Sequence, residues 1–447
     1  MKNRQALMIL AVTLFIDLLG FGLVLPLIPV YITHFGGASW VGGLLLASYS
    51  VMQFVSSPIW GRVSDRHGRR PVILIGLVGS ACSFFFFGFA RNLLMLFAAR
   101  VASGILTAAS LPTAQAYIAD VTPPDKRASG MAVLGAAFGL GFAFGPVLGG
   151  YLSVHTLFGI GPLAMPAYTA AVLALLNFIW ALFMLPESHK ERGTGEGKSV
   201  LAVFPDIVKA LRSPAISAQI TVFTFTTFAF TAVESSFSWL VLLRFRTLLR
   251  NNAVNAWQTA NAVPFAALPQ VQQTHLIEQA QTTATSHIFA VVGITMLFVQ
   301  GAVMGGLAKR VGENRLVMFG ALLLTVTLLA IGLTPSLPLI YVLSALIAVG
   351  SGVMNPALNA LITHSAGPND RGMLSGAQQG LGSMARIIAP PLNNYFVGIQ
   401  TGIPFFASSF IMAIAFVLSL RLKALPHIPR ASANALSDET ESAPLAH

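Results

Sequence analysis

Charged side chains inside apolar segments are the residues of this sequence best suited to chemistry. Two acids, Asp17 and Glu234, and two bases, Arg100 and Arg386, stand in long apolar runs. An ionised side chain costs about 2.5–3.5 kcal/mol at the centre of a membrane-spanning helix, so its retention there indicates a function. A low-dielectric surrounding favours the protonated form of a carboxylate, whereas a neighbouring cation favours the ionised form. A proton and a cationic ligand therefore compete for one acid, which predicts that they are exchanged.

Asp17 is the first candidate for this proton-coupling acid and Glu234 is the second, and each has a plainer alternative. Asp17 can instead be a packing carboxylate bonded to a neighbouring hydroxyl, and Glu234 can lie near the outer water. Arg386 can bind an anionic group, or it can extend its side chain to an interface.

Long apolar helices are the elements that must position these residues. The 447 residues are 55% hydrophobic and only 9% charged, whereas about a quarter of the residues in a soluble domain are charged. An apolar helix crosses a hydrocarbon core of about 30 Å with roughly 20 residues. The sequence therefore predicts an all-α integral membrane protein with twelve spans, at 6–33, 40–60, 71–90, 93–118, 128–152, 166–186, 215–243, 287–307, 315–333, 338–362, 372–396 and 403–422.

The distribution of lysine and arginine predicts the orientation of these spans. Twenty of the 26 basic residues fall in the N-terminus and in the segments on the same side, and only Arg91, Arg244, Arg246 and Arg250 fall on the other side. The positive-inside rule places the basic side, and with it both termini, in the cytoplasm. The anionic inner leaflet accounts for the net charge of +11 without a nucleic-acid partner. The single cysteine, Cys82, excludes disulfides within the chain and argues against a thiolate metal site.

An internal repeat relates the two halves of the chain. An offset of 244 residues predicts two six-helix bundles of the same orientation, 1–186 and 214–426, with a substrate between them. A polar cytoplasmic linker, 187–213, joins the bundles, and the tail 427–447 is expected to be disordered. An insertion within 244–286 is either a helical cap over the outer vestibule or a solvated loop. The matched pairs are Gly61/Gly305, Arg66/Arg310, Gly68/Gly312, Pro112/Pro356, Pro124/Pro368, Arg127/Arg371 and Pro146/Pro390.

A dense charge cluster occupies the short loop between the second and third spans. It reads GRVSDRHGRR and resembles the loop signature of the major facilitator superfamily, here complete in Gly61, Asp65, Arg66, Gly68, Arg69 and Arg70. The resemblance implies a cytoplasmic gate in which Asp65 meets a helix N-terminus near Gly372 when the gate is closed, and Arg69 pairs with Asp120. The alternative is an ordinary basic loop that only sets the topology.

Two further stretches are similar to twelve-helix drug/proton antiporters of that superfamily. The first span reads LGFGLVLPLIP, and the fifth reads GFAFGPVLGG, with Gly141, Gly145, Pro146, Gly149 and Gly150 at the signature positions. An earlier glycine of the antiporter signature is replaced by Ala132. The glycines spaced four apart serve to prevent proton leak or form a seam for close helix packing, and the two roles are compatible.

The chain most resembles bacterial tetracycline/proton efflux proteins, although its third span lacks the acid that such exporters commonly carry. The resemblance implies a multidrug efflux antiporter of the bacterial inner membrane, monomeric and driven by the proton gradient without a cofactor. It also implies that Arg100 tunes the acid or relays protons. The alternatives are a proton-coupled symporter or facilitator and, more distantly, a transport-inactive receptor or a membrane enzyme. No catalytic or metal-binding motif of known spacing occurs, so an enzyme is not expected. The expected substrate cavity contains Asp17, Gln115, Glu234, Asn355, Asn359, Gln378, Gln379 and Arg386.

Overall fold

The structure, a computed structural model, is built from α-helices with short 3-10 and π segments. It describes residues 2–122, 127–153, 161, 163–188, 203–212, 214–260, 264–365 and 371–422. Most of the predicted linker and the whole tail 427–447 lie outside the described residues. None of the described residues forms a β-strand, in agreement with the predicted fold class.

The first half contains six membrane spans made from eight helices. Two spans are interrupted where a proline removes a backbone donor: a 3-10 turn with Pro26 follows the first helix, and another precedes Pro112. The helices are α1 (Lys2–Val24), α2 (Ile28–His34), α3 (Ser39–His67), α4 (Arg69–Phe89), α5 (Leu93–Leu106), α6 (Ser110–Val121), α7 (Arg127–Leu152) and α8 (Met165–Met184).

The second half has the same six-span plan with two additional helices. A short helix precedes the half, another follows its first span, and a π turn, Val299–Val303, interrupts its second span. The helices are α9 (Val203–Arg212), α10 (Pro214–Arg244), α11 (Arg246–Ala260), α12 (Gln270–Phe298), α13 (Met304–Val311), α14 (Glu313–Leu333), α15 (Leu337–Ser365), α16 (Arg371–Ile399) and α17 (Ile403–Ser419).

Apolar length separates these spans into three groups. Among the described residues, seven helical segments are long and apolar enough to cross a membrane, and three apolar segments are shorter, one of which, Gly139–Leu152, is only the second part of α7. The two remaining spans, α3 and α16, have sufficient length but are more polar. Polar spans are expected where helices line a cavity instead of facing lipid.

Two predicted boundaries were wrong for the same physical reason. The eighth span was predicted to start at 287, but α12 begins at Gln270; the second was predicted to end at 60, but α3 continues to His67. Both extensions are polar helix, which hydropathy does not detect. The insertion is helical in α11, which buries Leu249 and Ala253, so the solvated-loop alternative does not apply there. A cavity of about 600 Å³ is lined by residues of α11, α12 and the start of α15.

Two of the described repeat pairs have the same backbone structure in both halves. Gly68 and Gly312 both have positive φ, 103° and 85°, directly before the third helix of each half. A left-handed backbone of this kind favours glycine. Arg127 and Arg371 both begin a helix. Pro124 and Pro368 lie outside the described residues.

The glycines of the fifth span form a packing seam against α1. A Cβ on Gly141 would come 2.6 Å from Leu18 Cβ, and one on Gly145 would come 2.7 Å from Gly22 Cα. A Cβ on Gly149 would meet the Leu23 carbonyl oxygen. The first-span and fifth-span signatures therefore pack on each other, which is the packing alternative predicted for these glycines. Gly150 faces the other half instead, where a Cβ would come 2.6 Å from Ser286 Cβ.

The two halves are in contact at their predicted outer ends. At the outer end of α3, Ser39 Oγ donates to Asn394 O at 2.7 Å, and a Cβ on Gly43 would meet the Pro390 carbonyl oxygen. At the other end of α3, a Cβ on Gly61 would find no atom within 4 Å. The described residues therefore close the space between the halves at the outer end of α3 and leave room beside Gly61 at its predicted cytoplasmic end.

Arg244 ties the outer ends of three helices together. Its guanidinium donates to the carbonyls of Ile331 (2.8 Å), Gly332 (3.0 Å) and Thr334 (3.0 Å) at the end of α14, and to Thr401 Oγ1 (2.9 Å). A cation at a helix C-terminus also stabilises the helix dipole.

We expect Arg244→Gln to lower the free energy of unfolding by about 2 kcal/mol, because charge-assisted hydrogen bonds to helix-end carbonyls are lost. The measurement is the midpoint of thermal unfolding of the purified protein in detergent. Arg246→Gln, at an exposed neighbouring arginine, is the control and should leave the midpoint unchanged. Equal midpoints for Arg244→Gln and Arg246→Gln would show that the hydrogen bonds of Arg244 do not contribute to stability.

Candidate functional site

Glu234 lies at the centre of the interface between the two halves. It is half-buried on α10, ten residues before the outer end of this helix, or about 15 Å along its axis. Its carboxylate interacts electrostatically with Arg386 of the same half and with Arg100 of the other half. No ion pair within 4.0 Å joins Glu234 to either arginine in the described part of the chain. The structure therefore places Glu234 in the central charge cluster, away from the outer surface.

Arg100 is held between aromatic rings. Only 4% of its surface is exposed, and its guanidinium carbon lies 5.0 Å from the ring centre of Phe87 and 6.0 Å from that of Phe21. Phe87 belongs to a four-phenylalanine run whose members Phe85 and Phe86 are exposed on the outside of the bundle. Cation–π contacts stabilise a guanidinium without satisfying its N–H donors.

Arg386 completes the cluster from α16. Its Nη2 donates to Ser383 Oγ at 3.3 Å, one turn earlier on the same helix, and its charge interacts with Glu234. The residue is half-buried near the middle of α16. The side chain of Arg386 therefore does not extend to a membrane interface, which was one of its two predicted alternatives.

Asp17 forms a hydrogen bond within its own half. Ser80 Oγ of α4 donates to Asp17 Oδ1 at 2.6 Å, so this carboxylate bonds to a hydroxyl within its own half. This geometry is the plainer alternative predicted for Asp17. It leaves the charges that meet across the two halves to Glu234, Arg100 and Arg386.

Tyr49 is a functional candidate that sequence reasoning missed. Its hydroxyl lies 3.1 Å from Thr107 Oγ1 and accepts from Gln53 Nε2 at 3.2 Å. The same hydroxyl interacts electrostatically with Asp17, Arg100 and Arg386, so it is near both the first-half acid and the central cluster. The sequence signal that could have identified Tyr49 was its place in the polar span α3, one turn from Gln53.

The other predicted cavity residues are polar positions on α6, α15 and α16. Gln378 Nε2 donates to Asn359 Oδ1 at 2.5 Å, which joins α16 to α15. Gln115, Asn359 and Gln379 are exposed, and Asn355 is half-buried. The roles of these side chains in binding a substrate stay predictions.

The predicted gate residues form an ion-pair cluster at the cytoplasmic end of the first half. Arg69 Nη1 donates to Asp65 Oδ1 at 2.5 Å, and Arg69 Nε lies 3.4 Å from Asp120 Oδ2. Arg70 Nη2 donates to the Leu182 carbonyl at the end of α8, at 2.5 Å, whereas Arg66 is exposed. Asp65 pairs with Arg69 here, so its predicted contact with the N-terminus of α16 remains a prediction for the closed gate.

Glu187, assigned from the sequence only to the linker, caps the helix that follows the gate loop. Its carboxylate accepts from the backbone N–H of Arg69 (2.9 Å) and of Arg70 (3.2 Å) at the start of α4. A Cβ on Gly68 would come 2.5 Å from Glu187 Oε2, so the glycine also makes room for this cap. An acid directly after the sixth span was the signal that could have predicted it.

We expect Glu187→Ala to lower the free energy of unfolding by about 1 kcal/mol, because two N–H groups at the start of α4 lose their acceptor. Glu187→Gln keeps an acceptor oxygen and should lose less. Thermal unfolding in detergent measures both variants. A Glu187→Ala midpoint equal to that of the unsubstituted protein would contradict the capping role.

Comparisons with known proteins agree with this architecture. The family model of the Major Facilitator Superfamily matches residues 10–250 and 251–446. Multidrug resistance protein 1 of Bacillus subtilis (strain 168) is 26% identical over 437 residues, covering 96% of this chain and 98% of the relative. Tetracycline resistance protein, class C, of Escherichia coli is 31% identical over 393 residues, covering 87% of this chain and 89% of the relative.

A solved structure with appreciable sequence identity has the same fold. The crystal structure of the human organic anion transporter MFSD10 is 26% identical and superimposes with a TM-score of 0.66, covering 93% of this chain and 99% of the other. The predicted resemblance to multidrug and tetracycline resistance proteins is thereby confirmed. The chain belongs to the major facilitator superfamily and is a multi-pass membrane transporter.

Proposed function

We propose that this protein exports small amphipathic compounds from the cytoplasm in exchange for protons, by alternating access. The observation that carries the proposal is the central cluster, in which Glu234 and Arg386 of one half face Arg100 of the other. The contacts at the outer end of α3 close the outer side, and in this proposal the cluster is reached from the predicted cytoplasmic side, where a Cβ on Gly61 would meet no atom within 4 Å. A substrate that enters from the cytoplasm therefore reaches an acid whose charge it can neutralise.

Glu234 is the coupling acid in this scheme. When ionised, it attracts the basic group of a substrate from the cytoplasm, because Arg100 and Arg386 stand too far away to form ion pairs with it. After the outer side opens, a proton from outside binds Glu234 and removes that attraction, so the substrate leaves. The protonated carboxylate then returns to the cytoplasmic side and releases its proton.

Asp17 has a supporting role in the proposal. Its bond to Ser80 and its electrostatic link to Tyr49 make it a second proton site within the first half. Arg100 tunes the charge of the cluster from the same half. The ranking of the two acids is therefore the reverse of the one predicted from the sequence.

The setting of the protein follows from its charge distribution and its relatives. We infer a bacterial inner-membrane protein with both termini in the cytoplasm, acting as a monomer and driven by the proton gradient without a cofactor. The names of the two bacterial relatives support multidrug or tetracycline-like substrates.

Proton symport is the second candidate function, and one observation favours it. Protonation of Glu234 leaves two guanidinium groups in the cluster, a state that binds an anion together with a proton. Co-transport of the two would then replace exchange.

Substrate-induced proton movement in inverted membrane vesicles tests the proposal. A pH-sensitive dye reports the acidic interior, and tetracycline and lipophilic cations are added to energised vesicles. Exchange predicts that a transported compound moves protons out of the vesicle lumen as the compound accumulates inside. A compound that crosses without moving protons, or that leaves the lumen together with them, would reject antiport.

A further inference from the structure

The guanidinium of Arg100 has unused hydrogen-bond donors. Its Nε and Nη2 are buried and have no hydrogen-bond partner among the described residues. Leaving a buried charged donor unpaired is costly, and the ring contacts with Phe21 and Phe87 do not replace hydrogen bonds. A buried charge kept in this state is expected where a ligand supplies the missing acceptor.

The charges around Arg100 do not supply that acceptor. Glu234 is the carboxylate that interacts with both Arg100 and Arg386, and it lies beyond 4.0 Å from each. Asp17 accepts from Ser80 in its own half. Two guanidinium groups thus share one carboxylate, and the cluster carries a net positive charge even when Glu234 is ionised.

We propose that Arg100 is an anion subsite and that the substrates are amphoteric. An acidic oxygen group, such as a carboxylate or an enolate, binds the free donors of Arg100 beside Phe21 and Phe87, while the basic nitrogen of the same molecule faces Glu234. This inference rests on the proposed function for the position of the substrate, and it specifies the substrate class.

The chemistry of arginine makes the subsite selective. The planar guanidinium presents its N–H donors as a fork that matches two oxygens, whereas a lysine ammonium is a compact point charge. A substrate without an acidic group leaves the fork unpaired. The basic end of the substrate competes with protons for Glu234. The acidic end binds Arg100 with an affinity that does not depend on the protonation of Glu234.

A matched pair of dyes isolates this contact. A rhodamine with a free benzoate is amphoteric, and its methyl ester is a cation with the same aromatic body. Fluorescence anisotropy gives the Kd of each dye for the purified full-length protein in detergent. We expect the free acid to bind about tenfold more tightly than the ester, as for other charge-assisted hydrogen bonds.

Substitutions then assign the preference to Arg100. Arg100→Gln should remove the preference for the free acid and change ester binding by less than about twofold. Arg100→Lys should retain part of the preference. Arg91→Gln is the matched control, because Arg91 is exposed and contacts only Phe89 among the ring contacts described.

The outcomes separate this inference from the proposed function. Equal binding of the two dyes to the unsubstituted protein, a comparison that needs no variant, would overturn the anion subsite. Arg100→Gln weakening both dyes equally would overturn it too, because it would indicate a structural role. A preference for the acid without any substrate-induced proton movement would support the subsite and reject proton exchange.

Discussion

Glu234→Gln is expected to abolish accumulation of substrate in energised inverted vesicles. The amide cannot alternate between a charged and a neutral form, so the proton gradient no longer drives the cycle. One proton moving through 100 mV supplies about 2.3 kcal/mol, which corresponds to about a fifty-fold gradient of a neutral solute. The variant should therefore let the substrate equilibrate to about equal concentrations while the unsubstituted protein concentrates it. Uptake of a fluorescent substrate together with the dye response to protons measures both effects.

Two further variants serve as comparisons for Glu234→Gln. Glu313→Gln makes the same change at the cytoplasmic start of α14 and should retain full accumulation. Asp17→Asn should reduce the rate of accumulation less than Glu234→Gln does, because Asp17 contacts Ser80 and not the opposite half. Complete loss in Asp17→Asn with full activity in Glu234→Gln would restore the ranking predicted from the sequence and reject the scheme proposed here.

Gly43→Val is expected to hold the outer side of the protein open. A Cβ on Gly43 would meet the Pro390 carbonyl oxygen and come 2.6 Å from Pro391 Cα, and no side-chain rotation can relieve a contact with backbone. Overpacking of this kind costs about 1–3 kcal/mol, so the closed-outside state loses about five- to 150-fold in population. Transport should fall because the cycle needs this state to take up substrate from the cytoplasm.

Thiol labelling from outside measures that opening. Ser236 is fully buried beside the outer contact, so Ser236→Cys in a Cys82→Ser background introduces a reporter. An impermeant maleimide should label it at least about tenfold faster when Gly43→Val is present. Gly306→Val is the matched control, because a Cβ there meets no atom within 4 Å. Equal labelling rates of Ser236→Cys with and without Gly43→Val would show that the outer contact tolerates the valine side chain.

The architecture and the candidate charges were readable from the sequence because they depend on local patterns. Apolar length predicted the spans, and repeated glycine, proline and arginine positions predicted two related halves. The pairing of Arg69 with Asp120 was also predicted, from the family resemblance and from the complementary charges of the two side chains. Polar helix was not detectable in this way, which is why the starts and ends of α12 and α3 were misplaced.

Only the tertiary structure decided which charges meet. Asp17 and Glu234 look alike in the sequence, yet Asp17 bonds to Ser80, 63 residues away, while Glu234 faces Arg100 and Arg386. That difference depends on how each helix is rotated and on which neighbour it packs against, and neither property is local. The same reason applies to Tyr49, to the cap formed by Glu187, and to the end of α3 at which the halves are in contact. The sequence by itself determined which groups the membrane must accommodate, and packing determined which of them face a substrate.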